Sequence, residues 1–230
     1  MLAQEPLSLF HQAAELNNEG IRSLVEGKST KGLDSLTNAI KLMKRELAQQ
    51  KDDDSCASDD SSTSSSDDIG ISTVKLPMSS LASGSYHHHD HSSSCLFDEV
   101  FLIPLSSSRR QDIHFYSAAI IFNLALAHHL VGTKSYQVKA EKLYSMILKL
   151  LGSSMMESRT AVLVKLASIH NLAQLRLDCG DYEKFSEGLT HVSQIMGNSV
   201  VESMIEDDAA IQGLLMNVLL LKAPKVAPAA

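Results

Sequence analysis

The sequence predicts an all-α chain of antiparallel helix pairs, about three of them plus a C-terminal capping helix, with a long disordered insertion after the first pair. Three observations carry this. An Asn is followed two residues later by Gly or Ala and nine residues later by Gly, and the spacing recurs as Asn18–Gly20–Gly27, Asn123–Ala125–Gly132 and Asn171–Ala173–Gly180. One spacing repeated in the same order is the mark of a repeated helix–turn–helix unit. The chain of 230 residues is 44% hydrophobic but only 5% aromatic, with no Trp, which suits Leu/Ala/Ile/Val packing between helices. Of its five Pro, Pro6, Pro224 and Pro228 sit near the ends, leaving long stretches that a helix can occupy without a break.

The elements follow in order. Residues 7–27 read as a first helix, with Leu9, Ala13, Leu16, Gly20 and Leu24 at steps of three and four. Gly27 supplies the left-handed end, Ser29 or Thr30 caps the next helix, and that helix, over 30–49, carries Leu33, Leu36, Ile40, Met43 and Leu47 on one face. Residues 7–50 thus form the first pair. Residues 51–95 change character abruptly: Asp52-Asp53-Asp54, Asp59-Asp60, Asp67-Asp68 and abundant Ser offer too little apolar surface to offset the ordering of the backbone, and predict disorder. The apolar, β-prone run from Leu96 to Leu105, with Pro104 against helix, predicts an extended segment over 96–108 that packs across the helices.

Residues 109–222 hold the second and third pairs and the cap. Helices are expected over 110–131, 135–151, 157–179, 182–196 and 207–222, the last stopped by Lys222-Ala223-Pro224; residues 223–230 read as a disordered tail. Each first helix places a small residue midway (Gly20, Ala125, Ala173), which lets the second helix approach closely. The second helices answer at offsets of 14, 18 and 21 from the Asn in units one and three (Gly32/Leu36/Ala39 and Phe185/Leu189/Val192). In unit two the answering residues, Ala140/Tyr144/Ile147, all lie three further on, as a three-residue insertion in the turn after Gly132 would produce.

The formal charge of −7 belongs to one stretch: residues 52–94 contain eight Asp and one Lys, so the remainder is balanced. The densest basic cluster is the pair Arg109-Arg110, which excludes a nucleic-acid footprint. Cys56, Cys95 and Cys179 are scattered, odd in number and without a CxxC pair, which points to a reducing compartment, cytoplasmic or nuclear. The N-terminus lacks the pattern of a signal peptide. The apolar run Leu214–Leu221 is far too short for a bilayer, and no membrane association is expected.

The repeated spacing, the turn Gly180-Asp181-Tyr182 and the run Asn123-Leu124-Ala125-Leu126-Ala127 resemble the tetratricopeptide repeat, over roughly 10–48 and 110–197. The family's Trp and its closing Pro are absent, and units two and three lie 48 residues apart rather than the usual 34. The resemblance implies an α-solenoid whose first helices line a concave groove, where Asn18, Asn123 and Asn171 would bond the backbone of a bound peptide; a carboxamide offers both a donor and an acceptor for that task. The Asn residues would otherwise bond neighbouring helix backbone. Of the Lys/Asn/Arg clamp by which some members hold chaperone tails, only Asn123 is retained, which argues against that ligand.

Other candidates are weaker. His87-His88-His89-Asp90-His91 is a metal-binding composition, but its compact spacing and Ser-rich flanks favour a solvated linker, so neither metal nor cofactor is expected. Ser64 and Ser65 each precede an Asp by three residues, the arrangement acid-directed kinases prefer. Catalytic motifs such as GxSxG, HExxH, the P-loop and GxGxxG are missing, which argues against an enzyme. The expected function is a non-enzymatic protein–protein interaction module, an adaptor binding an unidentified protein's peptide or helix in its groove, with Asn123 and Asn171 replaceable by Ala without unfolding. The alternative is a permanent structural subunit of a larger assembly, docking through its outer helix faces.

Overall fold

A computed structural model describes residues 8–53, 71–77, 96–105, 113–152, 158–197, 211–214, 216 and 218. Among them lie one two-stranded ribbon and the helices that pair with it and with each other: α1 (Leu9–Val25), α2 (Ser29–Asp53), β1 (Ser72–Lys75), β2 (Glu99–Leu102), α3 (Ile113–Val131), α4 (Lys134–Leu151), α5 (Arg159–Asp178) and α6 (Tyr182–Met196), with a further helical stretch at 211–214, 216 and 218. The protein is therefore predominantly helical. Helices pair in chain order: α1 packs most extensively on α2, α3 on α4 and α5 on α6, while α2 meets α3 and α4 meets α5.

The recurring glycine does the same job three times. Gly27, Gly132 and Gly180 follow α1, α3 and α5 with φ of 76°, 74° and 79°, a left-handed conformation that costs a residue bearing Cβ about 1–2 kcal/mol. The starts of α1, α5 and α6 are capped by side chains. Ser8 accepts from the His11 N–H, Ser158 from Ala161 and Asp181 from Lys184.

The close approach at the small residues is present in units one and three. A Cβ on Gly20 would lie 2.9 Å from Leu36 Cγ and 3.1 Å from the Gly32 carbonyl, and a Cβ on Gly32 would lie 2.6 Å from Leu24. On the third pair, a Cβ on Gly188 would meet the Ala173 methyl at 2.9 Å. Backbone thus nearly touches backbone where α1 crosses α2, and no side chain can be interposed.

Helices α3 and α5 differ from the rest in having no exposed side over most of their length. From Phe115 to His129, and from Ala161 to Leu175 except Lys165, every residue is buried. A helix apolar all round must be covered all round. Helix α3 is long and apolar enough to cross a bilayer by length and composition, unlike the shorter run Leu214–Leu221; 89% of its apolar window is buried inside the protein.

One expectation needs correction. The predicted disorder over 51–95 does not hold throughout. Helix α2 continues to Asp53, and residues 71–77 form β1 and its exit, with Leu76 wholly buried. The composition of the stretch hides a short run, Ile71-Ser72-Thr73-Val74-Lys75-Leu76, that can pair as a strand once a partner strand is available. Residues 54–70 and 78–95, with the proposed phosphorylation sites Ser64 and Ser65 and the His87–His91 cluster, lie outside the described residues. The last helix is described at 211–214, 216 and 218, where Ile211, Leu214 and Val218 are buried; the rest of 207–222 and the 223–230 tail lie outside.

Gly32→Val should destabilise the protein by about 2–4 kcal/mol, because backbone lies behind the Leu24 side chain and neither helix can retreat. Gly197→Ala, at φ −79° and 3.5 Å from its nearest neighbour, should be neutral or mildly stabilising. Denaturant unfolding of the two variants measures the contrast.

Candidate functional site

Strand β2 and its flanks run across the first helices of all three pairs. The register with β1 is antiparallel, Ser72 opposite Leu102 and Lys75 opposite Glu99. The Leu76 N–H donates to the Asp98 carbonyl at 2.9 Å, so Leu76 and Asp98 form a hydrogen-bonded pair. Antiparallel alternation then turns the backbone groups of Asp98, Val100 and Leu102 toward β1, and those of Phe101 and its odd-numbered neighbours the opposite way.

That opposite edge is met by asparagine side chains. Asn171 on α5 accepts the Phe97 N–H at 3.0 Å and donates to the Phe97 carbonyl at 2.9 Å. Asn123 on α3 accepts the Phe101 N–H at 2.8 Å and donates to the Phe101 carbonyl at 2.8 Å. Asn18 on α1 accepts the Ile103 N–H at 3.0 Å and donates to the Ile103 carbonyl at 2.8 Å. Each carboxamide presents one acceptor and one donor in the arrangement an adjacent strand residue would present. Three side chains from three helices thus replace a third strand.

The three sequence-predicted residues are therefore brought together, on one extended segment that belongs to the chain itself. Asn123 and Asn171 are fully buried and Asn18 partly so. The periodicity offers no sign of a fourth participant, Asn17. It is fully buried, donates to the Phe101 carbonyl at 3.1 Å and accepts from Asn123 Nδ2 at 2.8 Å. Its only legible signal is position: it shares the buried face of Ala13, Gly20, Ile21 and Leu24.

Side chains of the segment complete the contact. Phe97 and Phe101 face Phe122 of α3 with ring centroids 6.0 and 5.2 Å away, and Phe122 lies 5.8 Å from Tyr144 of α4. Tyr144 is wholly enclosed and accepts from Asn171 Nδ2 at 3.3 Å; burial pushes its phenol far above the ordinary range, so it is a neutral wall at all physiological pH. Val100, Phe101 and Ile103 are at most 1% exposed, whereas Asp98, Glu99 and Leu102 are partly exposed, Asp98 pairing with Lys75 at 3.2 Å. Beyond the segment, a cavity of about 530 Å³ opens along α1 beside Leu105, Glu15, Glu19, Arg22 and Lys31.

No group of metal-ligating side chains assembles among the described residues. His128 and His129 are buried in the last turn of α3 and His170 within α5, with His129 Nε2 3.9 Å from Asp178. Burial, aided by the Lys139 charge, lowers His128 to about 4. Comparison with known protein families, curated proteins and solved structures finds no match.

The buried geometry bears on the expected Ala replacements. Because Asn123 holds both backbone groups of Phe101 and also Asn17, Asn123→Ala should cost about 2–4 kcal/mol in unfolding free energy, and partly exposed Asn18→Ala less; chemical denaturation ranks them. A second expectation concerns pH. Unfolded histidine titrates near 6.5 and native His128 near 4, so only the unfolded state takes up a proton as pH falls between them. Stability should drop by about 1–3 kcal/mol from pH 7 to pH 4 on this account, and His128→Leu should remove that part of the slope in pH-dependent melting.

Proposed function

We propose that the protein is a non-enzymatic interaction module, a tetratricopeptide-like stack of helix pairs whose concave groove takes an extended polypeptide by its main chain. The observation that carries this reading is the paired hydrogen bonding of Asn18, Asn123 and Asn171, each to both backbone groups of one residue. Helix packing alone gives no reason for carboxamides at equivalent positions on α1, α3 and α5, whereas reading a strand edge does. The groove residues are polar and aromatic, and carry neither a nucleophile nor an acid–base pair, which supports binding without chemistry.

A second reading is favoured by a different observation. The groove is filled, and several large apolar residues stand outside it: Val138 and Met146 on α4 are 46% and 41% exposed, and Tyr182 at the start of α6 is 69% exposed. Under that reading the strand is permanent core and the protein docks into an assembly through its outer helix faces.

Site-specific photo-crosslinking in the native cell separates the two. With the crosslinker at Leu105, beside the groove, a partner should be captured and should be lost on Asn18→Ala. A partner captured only from Met146 or Tyr182, in fixed stoichiometry and indifferent to Asn18→Ala, would establish the structural subunit instead.

A further inference from the structure

We infer that the β1–β2 ribbon is a displaceable occupant of the groove, and that its competitor is an extended segment of a partner protein with large apolar residues at the spacing of Phe97, Val100, Phe101 and Ile103. This rests on the proposed groove reading and adds to it a selection rule and a gate.

The selection rule comes from two independent features of the contact. The asparagines grip atoms that every residue except Pro possesses, so they fix register without reading side chains. All three gripped residues are odd-numbered, and residues two apart on a strand direct their backbone groups to the same edge. A ligand must therefore keep the gripped positions an even number of residues apart. Side-chain identity is read at the enclosed positions: Phe97 and Phe101 against Phe122, with Val100 and Ile103 at most 1% exposed. Positions 98, 99 and 102 are partly exposed and tolerate change. The ligand pattern is apolar-x-x-apolar-apolar-x-apolar, with no Pro at the gripped positions.

The gate follows from how the occupant is attached. The helices pack on one another in chain order without the ribbon as intermediary, α1 through α6 each meeting the next. In sequence the ribbon is tied to α2 through residues 54–70 and to α3 through residues 106–112, both rich in Ser and poor in apolar residues. Among the described residues its hold is the strand contact itself, and tethering acts as an effective concentration in the millimolar range rather than as a barrier. A partner segment of the same pattern competes for the same atoms.

The test uses the full chain and a fluorescently labelled peptide of residues 96–105 extended by a lysine tail. Wild type, with its own strand in place, should bind the peptide at least tenfold more weakly than Phe97→Ala/Phe101→Ala, whose resident strand is weakened. A peptide with one Gly inserted between Asp98 and Glu99, which breaks the even spacing, should bind the double variant at least tenfold more weakly than the parent peptide. Equal binding of both peptides to the folded variant overturns the selection rule and leaves the groove reading standing. Binding of neither overturns both. Exchange of the labelled segment between copies, with a dimer appearing, makes the occupant a second copy and overturns the proposal. If the double variant does not fold, hydrogen exchange on wild type decides: amides of Phe97, Phe101 and Ile103 at least tenfold less protected than those of α3 support a releasable strand, and equal protection overturns it.

Discussion

A strand laid across helices has one edge that no helix backbone can satisfy. Helices bond their own N–H and C=O groups internally, so an extended segment buried against them would keep a row of unpaired donors and acceptors, each costing about 1–3 kcal/mol. The architecture depends on how this protein meets that constraint. One edge of residues 97–103 is given to β1, and the other to carboxamides on α1, α3 and α5. Because the three asparagines stand on the first helices of three pairs, one strand meets all three pairs.

From this follows the unusual character of α3 and α5. With a partner helix on one side and the strand on another, neither has a side left for water over most of its length, and the polar residues buried there, such as Asn123, Ser168 and Asn171, are hydrogen-bonded. The aromatic contacts among Phe97, Phe101, Phe122 and Tyr144 fill the space the carboxamides span, and their exclusion of water strengthens the amide bonds beside them. Where the helices touch each other directly, the opposite solution is used: side chains vanish at Gly20 and Gly32.

Much of this was legible in the chain. Apolar residues at steps of three and four mark the helices, the three glycines their ends, and the Asn spacing the residues that converge. The occupant was harder to see. Leu96–Leu105 reads as extended and apolar, but nothing local says that it returns to the asparagines some 80 residues upstream and 70 downstream, since periodicity carries no long-range pairing. An open groove would need a polar face on its lining helices, and Ile113–Val131 has none. β1 was masked by composition, because four strand residues embedded in Ser and Asp average to a disordered signal. Asn17 was hidden by its neighbour, as adjacent helical residues point about 100° apart and only packing shows that both reach the strand.

The most direct measurement is of hydrogen-bond scalar coupling by NMR on the isotopically labelled protein. The account predicts couplings from the Phe97, Phe101 and Ile103 amide nitrogens to the side-chain carbonyl carbons of Asn171, Asn123 and Asn18. Amides that couple to backbone carbonyls instead, or that exchange freely with solvent, would contradict it.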